Sequence, residues 1–366
     1  MDLFAVCPPG LETVLDAELR TLGLAPAPAA GGVEVHRGDF PVLQRLNLWS
    51  RTASRVLVRL GQVRATSFAE LVRKARALPF ETVVRPGAAV SLRVTCRKSR
   101  LYHSAAVAQR LHEAMQLRIG GEVPRLEHDE EGDAAAQLFV ARFDHDVCTV
   151  SADSSGALLH RRGYRLSQSH APLRETLAAA LLLAAGYTGE EPLLDPLCGS
   201  GTIAIEAVWI ARRRAPGLAR DFAFQRWPEY DAARFGALRA QAREQELPRA
   251  PKAIAASDAD PDAIAAARAN VARAAVADDV TLEKRALREA RPVPGPGLIA
   301  TNPPYGVRVG GDLPRLYAEL GELARRSRYR IAALVPDRRS AQRARLDWKP
   351  ILRTQNGGLR VELLAT

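Results

Sequence analysis

The segment TNPPYGVRV places an asparagine, two prolines and a tyrosine directly after the apolar run GLIA. An exocyclic amine is a poor nucleophile because its lone pair is delocalised, so an enzyme must accept its protons in a geometry that localises the pair. Asn302 can accept one proton through its side-chain oxygen, and the Pro303 carbonyl can accept the other. Pro303 and Pro304 remove competing donors, and Tyr305 offers a stacking face for an extruded base. These residues predict a catalytic clamp for a planar amine, although a turn after a strand explains the segment equally well in isolation.

Two earlier segments could hold a cofactor. In LLDPLCGSGT, Asp195 follows an apolar strand, and Gly199 and Gly201 allow a ligand to approach the backbone closely. The loop has neither the third glycine of a dinucleotide fingerprint nor the GK[ST] of a phosphate loop. Asp258 ends the later strand AIAASD and can bond ribose hydroxyls, whereas Asp260 is expected to cap the next helix; alternatively, both acids only cap that helix. An acid and a glycine-rich loop without phosphate ligands predict S-adenosylmethionine as the cofactor.

The order of helices and strands predicts how these motifs are positioned. From about residue 170 onward, helices alternate with nearly continuous apolar strands, which predicts a doubly wound α/β domain. Such sheets bind ligands beyond the carboxyl ends of their strands, where the three motifs fall. Residues 1–63 and 64–160 mix short strands and helices and predict two smaller α+β domains. In the first, APAPAAGG is predicted as a loop, and a helix from about Pro41 is predicted to run into LNLWSRTASRVLVRL. Residues 212–251 are interpreted as a surface elaboration.

Charge and cysteine content narrow the class of protein. The 366 residues contain 52 Lys and Arg against 41 Asp and Glu, a net charge of +11, which favours a polyanionic partner over a merely solvated basic surface. Two basic clusters are predicted to bind its phosphates: Arg93, Arg97, Lys98 and Arg100, and Arg161, Arg162 and Arg165. Four widely spaced cysteines indicate neither a disulfide framework nor a metal site. Without a recognisable leader or a membrane-length apolar run, a soluble cytoplasmic protein is expected.

The motifs also resemble a known family. DPLCGSGT, SDADP and NPPYGVR, in that order, are similar to class I S-adenosylmethionine-dependent methyltransferases that modify exocyclic nitrogens. Adding LLHRRGYR, APLRETLAAALLLAAG and the N-terminal stretches PGLE, GGVEV and NLWSRTASRVL, nearly the whole chain resembles the THUMP-containing RNA guanine-N2 methyltransferases of the RlmL and TrmN types. The resemblance implies an N-terminal ferredoxin-like domain over residues 1–63, a THUMP RNA-binding domain over 64–160 and a Rossmann-like catalytic domain over 161–366.

The resemblance also implies roles for individual residues. The residues implied to contact the cofactor are Asp195, Cys198, Gly199, Ser200, Gly201, Thr202, Asp258, Pro172, Thr176 and Asn302, with Arg174 and Glu175 nearby. One departure concerns the adenine. Where the family usually places an Asp near the adenine amine, this chain has Arg285 and Ala286, and Glu283 is the alternative contact.

The predicted activity is methylation of a guanine N2 amine in structured RNA, with large-subunit (23S) ribosomal RNA favoured over transfer RNA. A protein glutamine amide or adenine N6 would suit the same clamp. A ribosome-assembly factor that binds RNA without catalysis is a further alternative. The expected protein is a monomer that requires neither a metal nor a membrane.

Overall fold

The computed structural model describes residues 1–127, 136–165, 173–304 and 313–366. Its N-terminal part is a sheet covered on one face by helices. The strands are β1 (Asp2–Val6), β2 (Pro26–Ala29), β3 (Gly32–Val35), β4 (Arg55–Arg64), β5 (Val90–Arg97), β6 (Gln137–Asp144) and β7 (Val147–Asp153). The helices are α1 (Glu12–Thr21), α2 (Phe40–Trp49), α3 (Phe68–Ala75) and α4 (Ser104–Ile119), with a 3-10 turn at Phe80–Thr82. The strand order β2-β3-β1-β4-β7-β6-β5 makes one sheet, so the two predicted N-terminal domains share a layer of strands.

Every second side chain of strand β1 is buried, as are the side chains of β4 opposite them, and together they form the face of the sheet that the helices cover. Leu3 and Ala5 of β1 lie opposite Val58 and Val56 of β4, and all four are buried. A shift by one residue would expose these side chains, so burial specifies the register.

Two local predictions in this region are wrong. The helix predicted from Pro41 ends at Trp49, because the apolar residues that follow pair as strand β4 with β1 and β7. The segment predicted as a loop forms β2, which pairs only with β3 at the edge of the sheet, where proline is tolerated.

The C-terminal part contains a second seven-stranded sheet with the order β10-β9-β8-β11-β12-β14-β13. Its strands are β8 (Leu193–Asp195), β9 (Ile254–Asp258), β10 (Val280–Lys284), β11 (Leu298–Thr301), β12 (Arg330–Val335), β13 (Lys349–Asn356) and β14 (Leu359–Ala365). The helices are α5 (Glu175–Ala184), α6 (Thr202–Ala211), α7 (Ala232–Glu244), α8 (Pro261–Arg273), α9 (Leu313–Ser327) and α10 (Arg338–Gln342), with 3-10 turns at Ala223–Arg226 and Leu287–Glu289.

The topology of this sheet places the candidate site. Strands β8 to β12 pair in parallel, while β13 and β14 form an antiparallel hairpin at one edge. Helices α5, α6 and α8 pack on one face, and α9 packs on the other. Strand order reverses between β8 and β11, which is the switch point where doubly wound sheets bind ligands. The doubly wound prediction is confirmed.

The segment between α6 and β9 joins the two parts of the molecule. Phe224 is completely buried and meets Phe40 of α2 edge to face, with 5.9 Å between ring centroids. Trp227 is also buried, and its indole N–H donates to the side-chain oxygen of Gln137 on β6 at 2.7 Å. Gly217 packs so tightly against Leu48 that a Cβ would lie 2.9 Å from its backbone. The interpretation of residues 212–251 as a surface elaboration is therefore wrong, because their aromatic side chains form an interdomain core.

None of the described helices is both long and apolar enough to cross a membrane.

Candidate active site

The three motifs meet at the carboxyl edge of the C-terminal sheet. Asp195 ends β8, Asp258 ends the neighbouring β9, and Asn302 directly follows β11 on the other side of β8. A pocket of about 560 Å³ opens at this edge. It is lined by Leu173, Asp195, Leu197, Cys198, Gly199, Ser200, Thr202, Ile203, Asp260, Asp262, Ala263, Ala266 and Asn302. The structure thus brings Asn302 together with the glycine loop. Tyr305 and Pro172, also predicted for this site, lie outside the described residues.

The glycine loop is held in place by β9 and α8. The backbone N–H of Gly199 donates to one carboxylate oxygen of Asp258 at 2.9 Å, and the amide of Asn270 donates to the Ser200 carbonyl at 2.9 Å. Gly201 has a φ of +82°, and a Cβ there would lie 3.2 Å from that of Ala267. Glycine is therefore required at this position by both backbone conformation and close packing.

Asp258, which ends β9, and Asp260, which follows it, have different roles. Asp258 accepts hydrogen bonds from the backbone of Gly199 and Asp260, so it anchors the loop. Asp260 caps α8 by accepting from the Asp262 N–H at 2.9 Å, as predicted from the sequence. Asp260 and Asp262 also line the pocket, whereas Asp258 does not. Asp262 was not identified from the sequence, although it belongs to the same acidic segment.

Asp195 is the buried carboxyl of the site. It is 1 % exposed and accepts a long hydrogen bond from the Leu197 N–H at 3.4 Å. Burial raises the pKa of Asp195 from 3.8 to about 7, because water no longer solvates the charge. The Leu197 N–H and the nearby Thr301 hydroxyl compensate only in part, and the neighbouring Asp258 raises the pKa further. A carboxylate in this position is stabilised by a cationic ligand.

Asn302 presents an unsatisfied acceptor to the same pocket. Its side-chain oxygen is buried and has no hydrogen-bond partner among the described residues. A buried carbonyl without a donor is costly, and most such groups in folded proteins are paired. Pro303 and Pro304, which follow, cannot supply a backbone N–H. A ligand amine would satisfy the Asn302 oxygen.

Arg165 lies beside this pocket. Its guanidinium donates to the Thr202 hydroxyl at 2.5 Å and to the Leu173 carbonyl at 3.1 Å, both from residues that line the pocket. It also pairs with the buried Glu175 at 3.5 Å. Arg165 was predicted to bind RNA, but these contacts commit its side chain to the pocket wall. Thr176 is buried and does not line the pocket, and Arg174 is exposed.

Arg162 has no access to an RNA backbone. It is 2 % exposed and pairs with Glu206 of α6 at 3.2 Å, and it donates to the Arg51 carbonyl of the N-terminal part at 2.6 Å. The hydroxyl of Tyr164 also donates to Glu206. We therefore replace the predicted RNA-binding role of Arg162 with interdomain packing. This pairing joins residues 44 positions apart in the chain, and no local pattern indicates it.

The other predicted residues are exposed cations, proposed to bind RNA, and residues considered as contacts of the cofactor's adenine. Arg93, Arg97, Lys98 and Arg100 are exposed on β5 and the turn after it, and Arg161 is half-buried. Glu283 forms an ion pair with Arg285 at 2.9 Å, and neither residue lines the pocket. The described residues include no cluster of side chains suited to hold a metal.

Comparison with known proteins identifies the family. Residues 162–349 match the profile of the RMKL-like methyltransferase domain, and residues 2–57 match that of the RlmL ferredoxin-like domain. The chain belongs to the RMKL-like methyltransferase family. A provisionally named RNA methyltransferase of Synechocystis is 33 % identical over 99 % of this chain and 95 % of its own length. A ribosomal RNA large subunit methyltransferase K/L of Syntrophotalea carbinolica is 34 % identical over 99 % of this chain, but this chain spans only 53 % of that protein.

A solved structure supports the cofactor assignment. A provisionally named methyltransferase in complex with S-adenosylhomocysteine has a TM-score of 0.88 and 30 % identity, and the match covers 100 % of this chain and 97 % of the other. The chain is thus a methyltransferase that uses S-adenosylmethionine, with a Rossmann-like catalytic domain and a ferredoxin-like N-terminal domain, as predicted. The THUMP domain stays a prediction.

The pocket fits the chemistry of this cofactor. The buried Asp195 carboxyl suits the ammonium of the methionine moiety, and a Cβ added to Gly199 would meet only open space, so the loop leaves room for a ligand.

Proposed function

We propose that this methyltransferase modifies the exocyclic N2 amine of a guanine in RNA, and that its RNA is large-subunit ribosomal RNA. The observation that carries the proposal is the buried oxygen of Asn302 in the wall of the cofactor pocket, which has no hydrogen-bond partner in the described part of the chain. An acceptor at this position is matched by an amine that approaches the methyl donor.

The chain's own residues supply orientation rather than strong base catalysis. Asn302 accepts one hydrogen of the amine, and the Pro303 carbonyl accepts the second, so that the lone pair points out of the base plane. S-adenosylmethionine supplies an activated methyl group when bound. Holding amine and methyl in line accounts for most of the acceleration in such a transfer. The extra proton on the nitrogen becomes acidic once the new bond forms and leaves to water.

RNA is supported as the substrate by the open face of the N-terminal sheet. Arg93 and Arg97 alternate along β5 and share the face opposite α4, while Arg142 lies on the same face of β6 beside Thr95. Guanidinium groups on an exposed sheet can neutralise phosphates. With Lys98 and Arg100 in the adjoining turn, this edge is the proposed phosphate-binding surface. The names of the Synechocystis and Syntrophotalea relatives favour RNA, and the latter favours the ribosomal kind.

We further propose the division into a ferredoxin-like domain (1–63), a THUMP domain (64–160) and a catalytic domain (161–366), acting as a monomer. The shared N-terminal sheet makes the first two domains one RNA-binding unit.

The Asn302→Ala variant tests the proposal. Methyl transfer to protein-free ribosomal RNA should fall by at least about 100-fold, comparable to loss of one preorganised hydrogen-bonding group in an active site, while affinity for S-adenosylhomocysteine stays close to that of the wild type. Gln116→Ala, which removes an exposed carboxamide on α4, is the matched control. Mass spectrometry of the nucleosides identifies the product. Substantial turnover by Asn302→Ala contradicts the clamp, and N6-methyladenosine as the product contradicts the substrate assignment.

A further inference from the structure

The hairpin formed by β13 and β14 extends beyond the sheet on the side of the active site. β12 ends at Val335, which lies opposite Glu362 of β14. The hairpin continues for three more residue pairs, up to Asn356 and Leu359. At 3.4 Å per residue it projects about 10 Å past the edge. Asn302 leaves β11 at the same edge, two strands from β14, which is also about 10 Å away.

The base of this projection forms a groove with the N-terminal part of the chain. The groove has a volume of about 600 Å³ and is lined by Pro9, Gly10, Pro336, Arg353, Thr354, Gln355, Arg360, Val361 and Glu362. Gly10, with φ of +90°, packs so closely that a Cβ would lie 1.7 Å from the Arg353 carbonyl oxygen. The hairpin is therefore seated against the N-terminal part of the molecule, and the groove lies at the edge of the sheet where β12 ends, the edge that also carries the active site.

The groove carries an excess of positive charge. Glu362 pairs with Arg353 at 3.0 Å and with the neighbouring Arg338 at 2.7 Å, so it fixes two guanidiniums with one carboxylate. Arg360 is exposed and makes no ion pair with any described residue. The groove lining thus contains two arginines and one acid, and Arg338 lies beside that acid; the net positive potential attracts an anionic strand.

We propose that this groove binds the RNA strand adjacent to the target nucleotide and directs that nucleotide to Asn302; the inference rests on the proposed function. The hairpin supplies Arg353 and Arg360, which share one face of it, to the phosphodiester backbone. The N-terminal loop at Gly10 forms the opposite wall. The contact is independent of base sequence, so it positions the strand and does not select it.

Charge reversal at Arg360 tests the inference in the full-length protein. Arg328→Glu is the matched control, because Arg328 is also exposed but precedes β12 at the opposite edge of the same sheet. Fluorescence anisotropy measures the affinity for a labelled oligouridine of about 12 nucleotides, within the usual range of single-strand sites. Arg360→Glu should weaken binding about tenfold and reduce the slope of log affinity against log salt concentration by about 1.

The same variants in a methyl-transfer assay separate positioning from chemistry. With protein-free large-subunit ribosomal RNA, Arg360→Glu should raise KM and leave both kcat and the affinity for S-adenosylhomocysteine nearly unchanged. If Arg360→Glu and Arg328→Glu have the same RNA affinity and the same salt slope, the groove proposal is refuted, and the proposed function is not affected. If the wild type binds RNA through Arg360 but transfers no methyl group to it, the proposed function fails and the groove stands. A photo-crosslinker at Leu359 should yield RNase-sensitive adducts in ribosomal particles, and crosslinks solely to protein overturn the inference.

Discussion

Asp195 allows the cofactor pocket to be tested without RNA. Burial raises the pKa of its carboxyl from 3.8 to about 7. Pairing with the ligand's ammonium requires the deprotonated form, so protonation competes with binding. The affinity for S-adenosylhomocysteine should therefore be nearly constant just above pH 7 and fall about tenfold for each pH unit below it. Relative to the plateau above pH 7, the loss at pH 5 amounts to about 100-fold. Above about pH 8 the ligand's own amine loses its proton, which limits the range of the test.

Isothermal titration calorimetry of the wild type and Asp195→Asn across this range measures the effect. The variant should bind more weakly at pH 7.5 and show little dependence on pH, because the titrating group has been removed. Asp347→Asn, which changes an exposed carboxylate, should retain the wild-type profile. A wild-type affinity that is flat from pH 5 to pH 7, or a slope that survives in Asp195→Asn, would refute the pairing.

The same pKa shift makes Asp195 costly for the fold. Since its folded pKa is raised, the native state holds the proton more tightly than the unfolded chain, and the free energy of unfolding falls as pH rises from about 4 to 7. We compare the free energies of unfolding of the wild type and Asp195→Asn, both without cofactor. The difference in favour of the variant should grow by about 3 kcal/mol from pH 5 to pH 7.5. Chemical denaturation at the two pH values measures this difference. If the variant and the wild type differ in free energy of unfolding by the same amount at pH 5 and at pH 7.5, the pKa of Asp195 is not raised by burial.

Two further predictions concern the junction between the two parts of the chain. Phe224→Ala should lower the free energy of unfolding by about 3–5 kcal/mol through loss of a buried ring, measured by denaturation against the exposed-site control Leu117→Ala, and a change below 1 kcal/mol would contradict the interdomain core. Arg162→Met should destabilise by about 3–5 kcal/mol because it leaves Glu206 buried and uncompensated, and adding Glu206→Leu should recover most of that loss. A double variant as unstable as the single one would show that charge compensation is not the cause.

The glycine loop and the helix cap after β9 were predictable from the sequence because their parts are local. Asp195 and Gly199 lie in a short strand-turn segment and line the pocket, whereas Asp258, predicted to bind the ribose, does not line it, and Asp260, predicted as a cap, does. A contact between residues that are distant in the sequence cannot be predicted from such local segments. Arg162 and Arg165 have the same composition as a basic surface patch, and only the packing of α5 and α6 distinguishes buried ion pairs from exposed cations.

The fold shows the same division between local and distant information. Apolar runs identified β8, β9, β11 and β12, since buried parallel strands are apolar throughout. The strand β4 was missed because its residues also suit a continuation of α2, and pairing with β1 and β7 decides the outcome. The aromatic residues of the segment 212–251 were visible, but their partners Phe40 and Gln137 are distant in sequence.

The interdomain contacts bear on how one nucleotide is selected. α6 begins at the glycine loop and carries Glu206 one turn further along, where Arg162 ties it to the backbone of Arg51. Buried aromatic rings reinforce the same junction, and a large apolar interface resists relative motion of the joined parts. The proposed phosphate-binding surface of the N-terminal sheet and the cofactor pocket are thus held at a fixed separation. A rigid connection selects a nucleotide by its distance from the bound phosphates, so specificity can arise without base-specific contacts outside the pocket.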